Sequence, residues 1–181
     1  MQIQKVIAMI LEEMYNAVWF ILPAWLGNML DCTFGGGRPI DGGRNFVDGR
    51  PLLGKGKTIR GVCVAIFSAV CVAVVQSFVN YTVNPLIFGL LMGSGAMLGD
   101  IVKSFFKRRL NIKSGNPFPP FDQLDFILGA LALYYGIGPY VLNHFYSLSG
   151  WTILFIFVLT PLAHVLMNVI GYVLGLQDVW W

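Results

Sequence analysis

Eleven of the twelve lysines and arginines fall in two polar stretches, residues 38–60 and 103–113, and only Lys5 lies elsewhere. Around these stretches the chain runs in apolar segments of about twenty residues, the length an α-helix needs to cross roughly 30 Å of hydrocarbon. With 56% hydrophobic residues, 12% charged and a mean hydropathy of +0.69, the 181-residue chain does not have the make-up of a soluble globular domain. The fold class expected is an all-α membrane protein with about five transmembrane helices and two cytoplasmic polar loops, in a single domain over residues 1–181.

The spans are expected at about Val6–Leu30, Gly61–Val79, from Pro85 into the second basic stretch, Leu124–Leu142 and Trp151–Leu176. Residues 80–85 and 143–150 carry no Lys or Arg, so the bias of bases puts both polar stretches in the cytoplasm, the N-terminus outside and the C-terminus inside. The first apolar run is broken by Glu12-Glu13 and lacks a small-residue cleavage site, so no removable leader is expected. Those two glutamates suit the outer interface, Trp151, Trp180 and Trp181 suit interfacial anchors, and Asp178 a solvated tail. Cys32, Cys63 and Cys71 form no Cys-x-x-Cys pair and read as packing residues.

The chemistry concentrates in residues 99–125. Asp100, Lys103, Ser104 and Lys107 stand at i, i+3, i+4 and i+7, so a helix places all four on one stripe, with Phe105 and Phe106 pointing elsewhere. Asp122 and Asp125 are again three apart, just after a Pro119-Pro120 break that favours a helix start. Such a segment offers carboxylates for a divalent cation beside ammonium groups for phosphates. Arg109, off the stripe, would serve equally well to attract anionic headgroups.

The first polar stretch is rich in glycine: Gly35-Gly36-Gly37, then Asp41-Gly42-Gly43, Asp48-Gly49 and Gly54-Lys55-Gly56-Lys57-Thr58. Glycines let backbone N–H groups close on an anion. Gly56-Lys57-Thr58 ends like a Walker A loop, but Pro51 stands where its first glycine belongs and no strand precedes it, so a P-loop is rejected. Thr58 is placed to cap a following helix whose N-terminus would favour phosphate. Asn28 and Asp31 close the first span at i, i+3 and lead into this loop.

Gly99-Asp100, Ser104-x-x-Lys107-Arg108 with Lys113, and Asp122-x-x-Asp125 together resemble the signature of the CTP-dependent phosphatidate cytidylyltransferases. Those enzymes carry Asp where Ser114 stands and a longer, His-containing link before their last acids. The short form here is similar to the archaeal branch, the CDP-archaeol synthases, as are Gly-Gly-Gly-x-Pro-Ile-Asp and Gly-Lys-Thr-x-Arg-Gly in the first stretch. The resemblance covers about Pro23 to Asp125. It implies transfer of a cytidylyl group from CTP to a phosphorylated isoprenoid glycerol lipid at the membrane, with no nucleic-acid partner.

Within that expectation Asp122 and Asp125 bind Mg2+, with Asp100 a second or shared ligand, and Lys103 and Lys107 face phosphates of CTP or lipid. Lys55, Lys57 and Thr58 would hold the triphosphate tail, with Gly54, Gly56, Arg60, Ser104 and Arg108 as further substrate contacts and Asn28 as a polar one. The rival reading is a transporter, channel or lipid-binding protein whose charged loops only set topology. A CDP-alcohol phosphotransferase wants Asp-Gly-x-x-Ala-Arg, and neither Asp41-Gly42 nor Asp48-Gly49 supplies it. His144 lies in an uncharged loop and His164 in the fifth span, where it suits an interhelical hydrogen bond.

Overall fold

The computed structural model describes residues 2–80 and 83–175, so Leu176, Asp178, Trp180 and Trp181 lie outside the described residues. Five helices appear: α1 (Gln2–Phe34), α2 (Ile59–Asn80), α3 (Pro85–Arg109), α4 (Phe121–Val141) and α5 (Gly150–Val173). All five are long and apolar enough to cross a membrane. Among the described residues there is no strand, only isolated bridges between Pro39 and Thr58 and between Asn45 and Pro51. Contacts divide the chain into two units, residues 1–22 with 146–181, and residues 23–145.

Helix ends follow local chemistry. Asn84 caps α3, its Oδ1 accepting from the N–H groups of Leu86 at 3.1 Å and Ile87 at 3.3 Å, with Pro85 in the first turn where its missing N–H costs nothing. At the other end Asn111 takes a left-handed φ of 61°. Asn111 N–H then bonds the carbonyl of Arg108 at 3.1 Å and Ile112 N–H that of Lys107 at 3.0 Å, which satisfies the last carbonyls and turns the chain away. α1 runs a turn beyond the expected Leu30, because no proline or left-handed residue stops it before Gly35-Gly36.

In the unit of residues 23–145, small residues set how closely the helices approach. Ala65, Ala69 and Ala73 form a fully buried stripe on α2. A Cβ on Gly93 would stand 2.9 Å from Ala69 Cβ, and one on Gly27 of α1 2.8 Å from the Ala65 carbonyl oxygen. On the other side of α3, Cβ atoms on Gly95 and Gly99 would run into Ala130 and Asp125 of α4, and one on Gly129 into Gly95 and Gly99. The Gly99 contact is with the backbone of Asp125 itself, so this glycine lets an acid of α4 close on the charged end of α3.

In the unit of residues 1–22 and 146–181, Ser149 caps α5, accepting from Thr152 N–H at 3.0 Å. Ser149 Oγ donates to Glu13 Oε2 at 2.6 Å and Thr152 Oγ1 donates to the same oxygen, so α1 and α5 are joined there. The three cysteines are free thiols on exposed helix faces, not the packing residues expected, because the stripes that pack carry Ala and Gly.

Candidate functional site

The stripe of α3 meets the first turn of α4 in a cluster of acids and lysines. Lys103 Nζ stands 3.1 Å from Asp100 Oδ1 and 3.1 Å from Asp122 Oδ1. Asp125 Oδ2 lies 2.8 Å from the same nitrogen, close enough to pair but without hydrogen-bond alignment. Lys107 Nζ donates to both oxygens of Asp122 at 3.1 Å. Lys57, from the glycine-rich stretch, pairs with Asp100 Oδ2. Asp100, Ser104, Lys107 and Asp125 are buried.

The expected stripe thus exists, yet Lys103 stands among the carboxylates and not apart from them. Three acids are matched by three ammonium groups, which is how buried charges are tolerated. No group of three acid, His or Cys side chains among the described residues is gathered closely enough to hold a metal as it stands, and Lys103 stands between the three acids. The donor chemistry nonetheless suits magnesium: three carboxylates face one point, and Asp125 Oδ2 is buried without an aligned hydrogen bond.

The two polar stretches are sewn together beside this cluster. Arg109 Nη1 lies 2.6 Å from Asp48 Oδ1, its guanidinium carbon is 4.8 Å from the Phe46 ring centre and 5.1 Å from that of Phe105, and Arg50 donates to the Arg109 carbonyl. Arg109 is therefore engaged as a loop anchor. Arg108 Nε donates to the Leu53 carbonyl at 3.1 Å. Within the loop, Asp41 accepts from Gly43 N–H and Leu53 N–H, both at 2.9 Å. Burial opposes the charge on Asp41, but the backbone N–H groups of Gly43, Leu53 and Gly54 outweigh it and hold the carboxyl below its usual range.

Between the stretches lies a cavity of about 520 Å³, lined in part by Arg50, Gly54, Lys55, Arg108, Asn111 and Lys113. None of the cluster's six residues lines it, and the link is through the chain: Lys55 is two residues from Lys57, and Arg108 follows Lys107. Gly54, at φ 101°, sits where a Cβ would come to 3.1 Å from Arg108 Nε.

Other expected contacts are placed differently. Thr58 caps α2 as expected, its Oγ1 accepting from Gly61 N–H and Gly36 N–H at 3.1 Å. The N-terminus of α2, however, already faces a carboxylate, that of buried Asp31, for which Gly61 and Gly35 leave room. Arg60 turns to the Gly35 carbonyl and Gly56 is open. No hydrogen bond joins Asn28 to the cluster among the described residues, and the cluster's ion pairs include no histidine.

A family profile described as CarS-like CDP-archaeol synthase matches residues 7–181. The chain belongs to the CDP-archaeol synthase family. It is 40% identical to a CDP-archaeol synthase of Methanocaldococcus jannaschii over 180 residues, covering 93% of this chain and 97% of that one. It is 43% identical to one of Methanopyrus kandleri over 169 residues, covering 93% and 94%. It is also similar to a solved structure of an intramembrane enzyme for archaeal membrane lipids biosynthesis, with a TM-score of 0.75 and 34% identity over 84% of this chain and 92% of that one. For a CDP-archaeol synthase family member, three residues stand out that the signature motifs leave aside: Asp31, Asp48 and Arg109. Asp31 carried a sequence signal in its i, i+3 spacing from Asn28 at the mouth of the loop, whereas nothing in the sequence paired Asp48 with Arg109.

Proposed function

We propose that the cluster around Lys103 transfers a cytidylyl group from CTP to an isoprenoid diether glycerol phosphate, giving a CDP-lipid and pyrophosphate. Family membership makes the chain a multi-pass membrane enzyme of the CTP-dependent cytidylyltransferase class, and the transporter, channel or lipid-binding reading has no support. The observation that carries the site is the gathering of Lys57, Lys103 and Lys107 with Asp100, Asp122 and Asp125, and the same two polar stretches also edge a cavity with Arg50, Lys55, Arg108 and Lys113.

The chemistry asks little of covalent catalysis. A phosphate oxygen of the lipid, already anionic at neutral pH, attacks the α-phosphorus of CTP as the bond to the β-phosphate bridge breaks and pyrophosphate leaves. The barrier lies in bringing two anions together and in the charge that grows on the leaving group. Lys55, Arg108 and Lys113 on the cavity wall would hold the triphosphate tail, and Lys57, Lys103 and Lys107 would carry the charge nearer the reacting phosphorus. Asp122 and Asp125, with Asp100 shared, would hold magnesium. When bound, the ion neutralises phosphoryl charge and draws electrons from the phosphorus.

The test is the reaction itself: purified protein, labelled CTP, magnesium and a panel of phosphorylated lipids, with products resolved by mass. A CDP-lipid formed from the isoprenoid diether phosphate is the expected result, and its absence with every lipid would defeat the proposal.

A further inference from the structure

We infer that Lys103 and a divalent cation compete for the same three carboxylates, so that metal entry expels the Lys103 ammonium from the centre of the cluster and frees it for substrate phosphate. This inference rests on the reading of Asp100, Asp122 and Asp125 as the metal-holding acids.

Lys103 occupies the point that the three carboxylates share. Lys103 Nζ lies between 2.8 and 3.1 Å from one oxygen of each acid. Magnesium binds oxygen at about 2.0–2.1 Å, so an ion seated at the point these three oxygens share would take the place of the ammonium. The other two lysines need not move. Lys57 holds Asp100 through Oδ2, and Lys107 reaches both oxygens of Asp122. Asp100 and Asp122 therefore keep a partner when Lys103 leaves, while Asp125 pairs with Lys103 alone among the described residues. The acid that loses its partner is the one a dication can serve.

Charge supplies the reason for exchange in place of simple addition. Three carboxylates already pair with three ammonium groups, and a dication placed among those cations without the departure of one is disfavoured in a buried site. Departure of Lys103 relieves one charge, and an arriving phosphate answers both the freed ammonium and the ion. Lys103 is thus a cation of the acids in one state and of the substrate in the other.

The test uses the full chain in detergent, without nucleotide, titrated with Mn2+ and followed by the paramagnetic resonance signal of the free ion. Lys103→Met should bind Mn2+ at least tenfold more tightly than the wild type, and Lys103→Gln should do the same. Equal or weaker binding in a folded variant overturns the inference. Should neither variant fold, amine acetylation of the wild type decides: Mg2+ should raise modification of Lys103 several-fold while leaving Lys5 unchanged, and no rise at Lys103 overturns it. Failure here is separable from failure of the proposed reaction. CDP-lipid formation by a wild type whose Lys103 variants bind Mn2+ no better removes only the exchange, whereas tighter Mn2+ binding in a protein that makes no CDP-lipid removes only the reaction.

Discussion

Arg109 spans 61 residues of sequence to meet Asp48, its Nη1 2.6 Å from the carboxylate Oδ1. The guanidinium fork fits a carboxylate and stacks on aromatic rings, and here it does both, between Phe46 and Phe105. The loop that brings Lys57 to Asp100 is thereby fastened to the end of α3. Arg109→Ala should release the loop, seen as faster protease cleavage near Asp48 and as loss of CTP turnover. Arg109→Lys should rescue poorly, since an ammonium cannot reproduce the fork. Wild-type protease resistance in Arg109→Ala would show that the loop is held elsewhere.

The same contact bears on topology, since residues 38–60 and 103–113 meet through it. With the native cysteines replaced, single cysteines at Arg50 and Lys113 should label from the same membrane face, the cytoplasmic one, and a cysteine at Asn143 from the other. Labelling of Arg50 and Lys113 from opposite faces would break the five-span arrangement.

Much of this was legible in the sequence, for identifiable reasons. Hydropathy alone locates five spans, and the i, i+3, i+4, i+7 spacing from Asp100 to Lys107 does yield one stripe, buried at Asp100, Ser104 and Lys107 and half-buried at Lys103. The glycines of α3 do mark close helix contacts, although their partners, Ala69 on α2 and Gly129 on α4, could not be read from spacing. Periodicity gives the face a residue shares, never what stands across from it. That is why spacing marks Lys103 but not the acids that surround it, and why Arg109, off the stripe, gave no sign of its loop-fastening role.

Asp41 gives a pH test confined to the loop. Its carboxyl is depressed below the usual range, so its contribution to loop order is present above the unfolded value and is lost as pH falls through the lower folded one. Acidification through the low end of the carboxylate range should loosen residues 41–54, seen as rising amide exchange at Gly43 and Leu53. Asp41→Ala should show that looser exchange at neutral pH and little further change on acidification. An acid transition of full size in the variant would assign the loosening to another group.

Among the acids, Asp122→Ala and Asp125→Ala should abolish turnover in protein that still folds, because each removes a hard oxygen donor from a set of three. Asp125→Asn should be nearly as damaging, since an amide oxygen brings no net charge to the cation. Near-wild-type turnover in either alanine variant at ordinary magnesium would remove these residues from the metal role. Lys107→Ala should cost roughly 10- to 150-fold in turnover, matching about 1.5–3 kcal/mol for a charge-assisted hydrogen bond.

The last expectation concerns the source of the nucleophile. The cluster holds carboxylates and ammonium groups, and its acids are engaged by lysines: Asp100 by Lys57 and Lys103, Asp122 by Lys103 and Lys107. No histidine takes part in the cluster's ion pairs among the described residues, and Glu13 is bonded to Ser149 and Thr152. Water is a poor nucleophile without a base to take its proton, whereas a lipid phosphate arrives already charged. CTP should therefore persist on this protein in magnesium alone. Adding the isoprenoid diether phosphate should release pyrophosphate and CDP-lipid in equal amounts, and chelation should stop both. The readout is pyrophosphate measured with and without lipid, against CDP-lipid by mass. Rapid hydrolysis without lipid would mean that some group here does activate water, and a lipid phosphate as sole nucleophile could then not be sustained.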